Sequence, residues 1–411
     1  MTGPGATKGW KWPLVLLIGV WALVGLQRNA PLFLADFIVE EFSLSLKAFG
    51  ATSGVLGFAW ALGSLMAGPI AERKGSKPLI VIGGLFTALF GWFSGLVQSF
   101  GQLLAVRATV GLAEGAVVAP IFTLAGRTAP EKFRARAIAV MFAAFVLVGM
   151  VLAPPLLGFL GTEFGWRTGF FIVALPLFLV SLLVLRFVPE RKAVDQGIDD
   201  GLSVAGRMLF VLRHRNVFLC ALIAFCSISR VFVVMTFGLL FFLEVHQMPR
   251  ALAAGALALG LLADMLGGIV FGWLSDRFNT RRWVVAGCGA GCLAVGLVFA
   301  YLPAGTSMAV LLGALMLFMF IGGGVSPQVI GVIPQESVAP RYAPIAVGTS
   351  NSFGELFGAG LAPVIAGIIG DQFGLGSAML VAAVMAVGTV LFGLLLKETS
   401  ASFASETAPA G

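Results

Sequence analysis

Gly272-Trp273-Leu274-Ser275-Asp276-Arg277-Phe278-Asn279-Thr280-Arg281-Arg282 is a short polar island between two apolar runs. Residues 251–275 precede it and residues 283–302 follow it, and about 20 apolar residues suffice to cross a bilayer. A weaker copy stands earlier as Gly68-Pro69-Ile70-Ala71-Glu72-Arg73-Lys74-Gly75-Ser76-Lys77. Gly68 aligns with Gly272, Glu72 with Asp276 and Arg73 with Arg277, all at one offset. An acid, an arginine and a basic cluster therefore recur in a tight loop after the second apolar span of each half. The chain reads as two related membrane halves.

Composition agrees. The 411 residues are 59% hydrophobic and 11% charged, and the mean hydropathy is +1.02. A soluble protein of this length could not hide that much apolar surface, so the solvent is lipid. The net charge of +7 would suit a nucleic-acid partner if it lay on one soluble face. It lies instead in short segments between apolar runs, which is the membrane pattern and excludes nucleic acid. Cys220, Cys226, Cys288 and Cys292 all fall inside apolar runs without metal-ligand spacing, so they read as packing residues, with no metal and no cofactor expected. Lys8, Trp10, Lys11 and Trp12 precede the first run, which lacks a small-residue cleavage site and reads as a retained first helix.

Twelve spans are predicted, at 13–35, 48–71, 78–98, 101–125, 137–161, 168–188, 216–243, 250–273, 283–302, 307–332, 343–368 and 375–396. The fold class is an all-α membrane protein with twelve transmembrane helices in two pseudo-symmetric six-helix halves. Residues 1–188 form the N-terminal half, 189–215 a cytoplasmic linker, and 216–411 the C-terminal half with a short polar tail. With both termini in the cytoplasm, only Lys47, Arg167 and Arg250 of the 26 Lys and Arg fall on the far side, while Arg28, Arg107 and Arg230 lie within spans. That asymmetry sets the orientation in the inner membrane. A second repeat links the fifth span to the eleventh: Leu152-Ala153-Pro154 with Gly158, Gly161, Phe164 and Gly165 matches Leu361-Ala362-Pro363 with Gly367, Gly370, Phe373 and Gly374. Parallel halves of this kind place a substrate near the midplane between them.

Arg28, Arg107, Glu114, Arg230, Asp264 and Glu355 lie deep in the predicted spans. Each costs about 2.5–3.5 kcal/mol at a helix centre, so each is expected to face a cavity or a partner. Arg107 and Glu114 are seven residues apart, two helical turns, and share a face about 10 Å apart. Desolvation near mid-membrane suits Glu114 to proton exchange; the alternative is a structural ion pair. Arg28 precedes Arg73, and Arg230 precedes Arg277, by nearly equal intervals, so the two arginines are pseudo-symmetric. Facing guanidinium groups would form a fixed positive site for a carboxylate or phosphate. The alternative pairs them with Asp264 or Glu355. Asp264 could compensate Arg230 in the empty site or bind a proton itself, and Glu355 could line the cavity. Gln27, Asn351, Gln328, Phe58 and Trp60 could shape the pocket, although amides and aromatics on membrane helices commonly serve packing.

The repeated polar island resembles the signature loop of the major facilitator superfamily. Within that superfamily, Arg107-Ala108-Thr109-Val110-Gly111-Leu112-Ala113-Glu114-Gly115 is similar to the fourth-helix pattern of the anion:cation symporter family. That family includes bacterial sugar-acid carriers and vesicular glutamate and sialic-acid carriers. Arg134-x-Arg136-Ala137 and Gly165-Trp166-Arg167-x-x-Phe170-Phe171 also fit. The resemblance implies alternating-access symport of a small organic anion with protons, through a site containing Arg28 and Arg230. Bacterial members often carry an aspartate before the first-helix arginine, where this chain has Gln27, which leaves Glu114 as the best-placed carboxylate. Glu72, Arg73, Asp276 and Arg277 are implied to be gating residues, the acids set against helix termini and nearby arginines. An organophosphate:phosphate antiporter or a mono- or dicarboxylate exchanger would also use paired arginines. Gly268 stands where an Asp-x-x-x-Arg pair of the monocarboxylate type would need its arginine. A drug exporter would expose acids instead, and nothing resembles a nucleophile–base set or a phosphate-cradling loop, so an enzyme is excluded. The expected partners are a small anion, protons and the bilayer, with the protein a monomer.

Overall fold

Lipid offers no hydrogen bonds, so each spanning segment must satisfy its own backbone, and an α-helix does so. The computed structural model describes residues 10–130, 133–190 and 203–399, and among these twelve helices are long and apolar enough to cross a membrane. The linker residues Arg191, Lys192, Asp195, Asp199 and Asp200 and the polar tail from Ser400 onward lie outside the described residues.

The first six spans are α1 (Lys11–Phe33), α2 (Leu46–Lys74), α3 (Ser76–Ser94), α4 (Phe100–Thr128), α5 (Arg134–Val146, resuming at Ala153–Phe164) and α6 (Trp166–Phe187). The second six are α7 (Arg215–Leu240), α8 (Arg250–Arg277), α9 (Arg282–Ala300), α10 (Met308–Gly323, resuming at Ile333–Glu336), α11 (Ala343–Phe353, resuming at Ala362–Phe373) and α12 (Leu375–Leu395). Their ends agree with the sequence expectation to within several residues, with informative exceptions. After Pro31 the chain breaks at Leu34 and continues as a short helix, Ala35–Phe42, beyond the first span. The expected loop at 68–77 is mostly helix: α2 runs to Lys74, and Gly75, at φ +92°, turns directly into α3. Likewise Gly272–Arg277 is the last turn of α8, and only Phe278–Arg281 is turn. A segment of π-helix interrupts α5 at Leu147–Val151, extends α7 at Phe241–Val245, and interrupts α10 at Gln328–Val332 and α11 at Gly354–Leu361.

The chain divides into two compact units, one built on α1–α6 and the other on α7–α12, with Ser45–Gly50 grouped with the second. In the first, Leu17, Val20 and Trp21 of α1 pack with Ile80 of α3, Val117 and Ile121 of α4, Met141 of α5 and Leu177 of α6. In the second, Ile223 of α7 packs with Val285 of α9 and Val329 of α10. Large apolar side chains such as Phe159, Ile269 and Leu391 are more than half exposed, the lipid-facing counterpart of these cores.

The duplication shows in the packing. A Cβ on Gly63 of α2 would collide with the Leu112 carbonyl of α4, and one on Gly115 of α4 with the Trp60 carbonyl of α2. In the second unit the corresponding pair, α8 and α10, meets the same way at Gly267 against the Phe320 carbonyl and Gly323 against the Asp264 carbonyl. Small residues let membrane helices approach backbone to backbone. Those two crossings fix where Glu114 and Asp264 stand.

Candidate functional site

In the first unit, Arg28, Arg107 and Glu114 are all buried. Arg107 Nη2 donates to the Arg28 backbone carbonyl at 2.6 Å, so its guanidinium ties α4 to α1 at that residue. It also feels the charges of Glu114 and Arg28. The Arg28 guanidinium lies 5.3 Å from the ring centroid of Trp60, an arrangement in which the ring's negative face offsets part of the desolvation. Trp60 is itself buried, because the Gly115 crossing presses α2 onto α4 at this level.

Gln27 is placed differently from the expectation. A Cβ on Gly91 of α3 would overlap its amide and lie 3.3 Å from Ala174 of α6. The side chain thus points into its own six-helix unit, fully buried and without a hydrogen-bond partner among the described residues. Successive helical residues are rotated by about 100°, so Gln27 and Arg28 cannot share a direction.

In the second unit, Arg230 of α7 forms an ion pair with Asp264 of α8 through Nη2. Its Nη1 donates to Met319 Sδ of α10 at 3.0 Å, and the group lies 5.6 Å from the Phe318 ring centroid. Its flat face rests on Gly322, where a Cβ would meet Nε and Cζ. The Asp264 side chain keeps 23% of its exposure against 3% for Arg230. Of the alternatives weighed for Arg230, pairing with Asp264 is the one the structure displays. Asn351 in α11 and Glu355 in its π segment are half-buried. Gln328 has different surroundings from those expected: its Oε1 accepts from Ser275 Oγ at 3.4 Å at the polar end of α8, not at mid-span.

The polar ends carry more order than the sequence suggested. Asp276 is bound to Arg281, and Arg281 also donates to Glu336 of α10 at 3.0 Å and to Ser275 Oγ at 3.0 Å. Thr399 Oγ1 donates to Glu336 at 2.5 Å. The acid at the N-terminus of α9 is not Asp276 but Glu398, which accepts from the N–H groups of Arg281 at 2.8 Å and Arg282 at 3.3 Å. In the first unit Glu190 accepts from Ser76 and Lys77 at 3.3 and 2.8 Å at the start of α3. A carboxylate satisfies the orphan N–H groups of a helix start and the positive end of its dipole. The signal that could have found them is a repeat: each acid follows the last span of its half. Arg277 is exposed, and Glu72 and Arg73 lie within α2, their side chains outside what the structure describes. Beyond the spans, Glu41 receives both arms of Arg167 at 2.5 and 2.6 Å and Trp166 Nε1 at 2.8 Å. Arg167 thereby holds its carboxyl below the usual range. Among the described residues no cluster of His, Cys, Asp or Glu could hold a metal.

Twelve apolar helices in two repeats, each repeat with a buried arginine and a carboxylate within its spans, define a polytopic membrane carrier. The chain belongs to the Major Facilitator Superfamily, whose model matches residues 16–359, and it is a transporter, not an enzyme. It is 26% identical over 402 residues to the cis,cis-muconate transport protein of Acinetobacter baylyi, covering 94% of this chain and 95% of that one. It is 27% identical over 391 residues to the probable L-galactonate transporter of Escherichia coli, covering 87% and 82%. The fold resembles the crystal structure of a bacterial homologue of the human lysosomal transporter Spinster, inward-facing and unoccupied. That match has a TM-score of 0.79 and 19% identity over 100% of both chains.

Proposed function

We propose that the protein carries a small organic carboxylate across the inner membrane together with protons, with both termini in the cytoplasm. The observation that supports this most is the pair of buried guanidinium groups, Arg28 and Arg230, at 5% and 2% exposure in the middle of apolar helices. Charges kept at such cost in a membrane serve ligands or protons by default. Arginine stays charged and offers a planar fork matched to a carboxylate. Relatives at similar identity are named for muconate and galactonate, both carboxylates. In this reading Arg28 and Arg230 bind the anion and Arg107 sets Arg28. Glu114 and Asp264 are the protonatable partners, Glu355 and Asn351 are further cavity-lining candidates, and Asp276 with Arg281 governs gating.

Purified protein in proteoliposomes tests the reading with labelled cis,cis-muconate and L-galactonate. Accumulation driven by an inward proton gradient, abolished by a protonophore, is expected for at least one of them. If neither is transported but phosphate exchanges for a sugar phosphate, the chain is an organophosphate antiporter and the carboxylate assignment fails.

A further inference from the structure

The Pro154–Pro155 pair puts a defect into α5 that another group has to fill. Proline has no N–H to return to a carbonyl one turn back. At the pitch of the π segment, where Leu152 N–H reaches back to the Leu147 carbonyl at 2.8 Å, the missing donors are those for the carbonyls of Gly149 and Met150. Gly149 also touches α1 backbone to backbone: a Cβ there would lie 2.6–2.9 Å from the carbonyl carbon, Cα and oxygen of Gly25.

Asn29 spans this contact. Its Nδ2 donates to the Gly149 carbonyl at 3.0 Å and to the Gly25 carbonyl at 3.0 Å. The residue is fully buried, and its Oδ1 has no hydrogen-bond partner among the described residues, so the amide acts here through its donors. Asn29 is the next residue after Arg28, whose carbonyl is held by Arg107. One turn of α1 is therefore fastened on two sides, to α4 by Arg107 and to α5 by Asn29.

The same junction recurs in the second unit. The π segment Gly354–Leu361 precedes Pro363, and Gly358 stands where Gly149 does in the repeat. A Cβ on Gly358 would lie 2.9–3.0 Å from Ser229 and Ile228 of α7, immediately before Arg230. In each unit the arginine-bearing helix meets a π segment at a glycine. Val231 occupies the place after Arg230, so an amide fastener is present only on the Arg28 side.

We propose that Asn29 is a positioning residue for transport: its amide locks the Arg28 turn of α1 onto the π segment of α5, so that the guanidinium is presented from a fixed backbone. This rests on the reading of Arg28 as an anion ligand. A ligand group held in place before binding loses less freedom on binding, and releasing it weakens affinity without deleting the charge.

The test compares wild type with Asn29→Leu and Asn29→Gln by two measurements. Hydrogen exchange in nanodiscs should show faster exchange in Asn29→Leu at residues 25–33 and 147–158, with the other helices unchanged. The dissociation constant of cis,cis-muconate or L-galactonate, whichever stabilises the wild type, should rise at least about tenfold, with Asn29→Gln recovering part of the loss. Faster exchange with unchanged affinity would make Asn29 a structural clamp only and overturn the proposal. Unchanged exchange overturns it outright, whether or not either acid binds. If Asn29→Leu does not insert, Asn29→Ser, which cannot span to Gly149, is put through both measurements. Arg28→Lys serves as the separate control. Unchanged affinity there defeats the Arg28 reading, while the exchange measurement still reports on the fastening itself.

Discussion

At Arg230 the membrane's demand on a single side chain can be followed donor by donor. A guanidinium carries five N–H groups; here one edge goes to Asp264, another reaches only the thioether of Met319, and the face lies on Gly322. A thioether is a weak acceptor, so, if Arg230 binds the anion as proposed, the Nη1 edge is where an incoming carboxylate would gain most. Gly322→Ala should therefore push the guanidinium off Asp264 and reduce uptake at least about tenfold, while expression and insertion stay normal. Uptake equal to wild type would show that the seat of Arg230 is not needed. Arg28→Lys tests the first unit: the charge stays but the fork is lost, so strongly weakened binding with normal folding is expected. The arginines and carboxylates were legible in the sequence because a charge in an apolar run stands out. Their seats were not. Met319, Gly322 and Asn29 are ordinary residues of membrane helices, and only the crossing of two helices gives them a role. Gln27 and Gln328 mislead for the converse reason: an amide's polarity is visible in the sequence but its direction is not.

Helices and their ends obey a different logic, in which backbone groups decide. The spans were readable to within several residues because twenty apolar residues in a row have one use. The π segments were not, since a uniformly apolar run carries no periodicity to separate α from π pitch. The repeated polar islands were read as loops because they are polar, yet most of each is the last turn of a helix, and Gly75 alone makes the first turn. The acid at the start of α9 comes from the far end of its unit, beyond the reach of local reading. Glu398→Gln should cost about 0.3–1 kcal/mol at the start of α9, seen as a small drop in thermal stability that high salt reduces. Asp276→Asn, which breaks the link to Arg281, should leave anion binding nearly intact and slow transport, because it biases a conformational equilibrium and not a pocket. Equal loss of binding and transport would exclude gating. On the other side of the first unit, the Glu41 carboxyl is lowered by its bond to Arg167. Its stabilisation is complete above the ordinary carboxylate range and is lost as pH falls through the lowered pKa. Acid titration of melting temperature should show that loss in wild type and not in Glu41→Gln.

For the whole molecule the duplication has been kept in architecture and relaxed in chemistry. Both units cross their second and fourth helices at glycine, cap the helix after the turn with an acid from their last residues, and bury an arginine. Yet Arg230 is bound to a carboxylate, whereas Arg28 stands over Trp60 with Glu114 and Arg107 on a neighbouring helix. In the proposed reading the first unit's Glu114, buried on the same helix as Arg107, is the carboxylate that exchanges the proton. On that proposal, an ionised Glu114 would offset nearby arginine charge and weaken anion binding, and a protonated one would free that charge for the substrate. Linkage then requires that anion binding favour the protonated form and that lower pH tighten anion binding by the same factor. Glu114→Gln imitates the protonated form. Retained or tighter binding, an affinity that no longer varies with pH, and loss of proton-driven accumulation are expected together. Exchange of labelled for unlabelled substrate should survive, because it needs no net proton movement. If Glu114→Gln still concentrates substrate under a pH gradient as well as wild type does, Glu114 is a packing charge for Arg107. Asp264 or Glu355 then becomes the next candidate, and whichever of Asp264→Asn and Glu355→Gln loses accumulation while keeping exchange identifies the carrier.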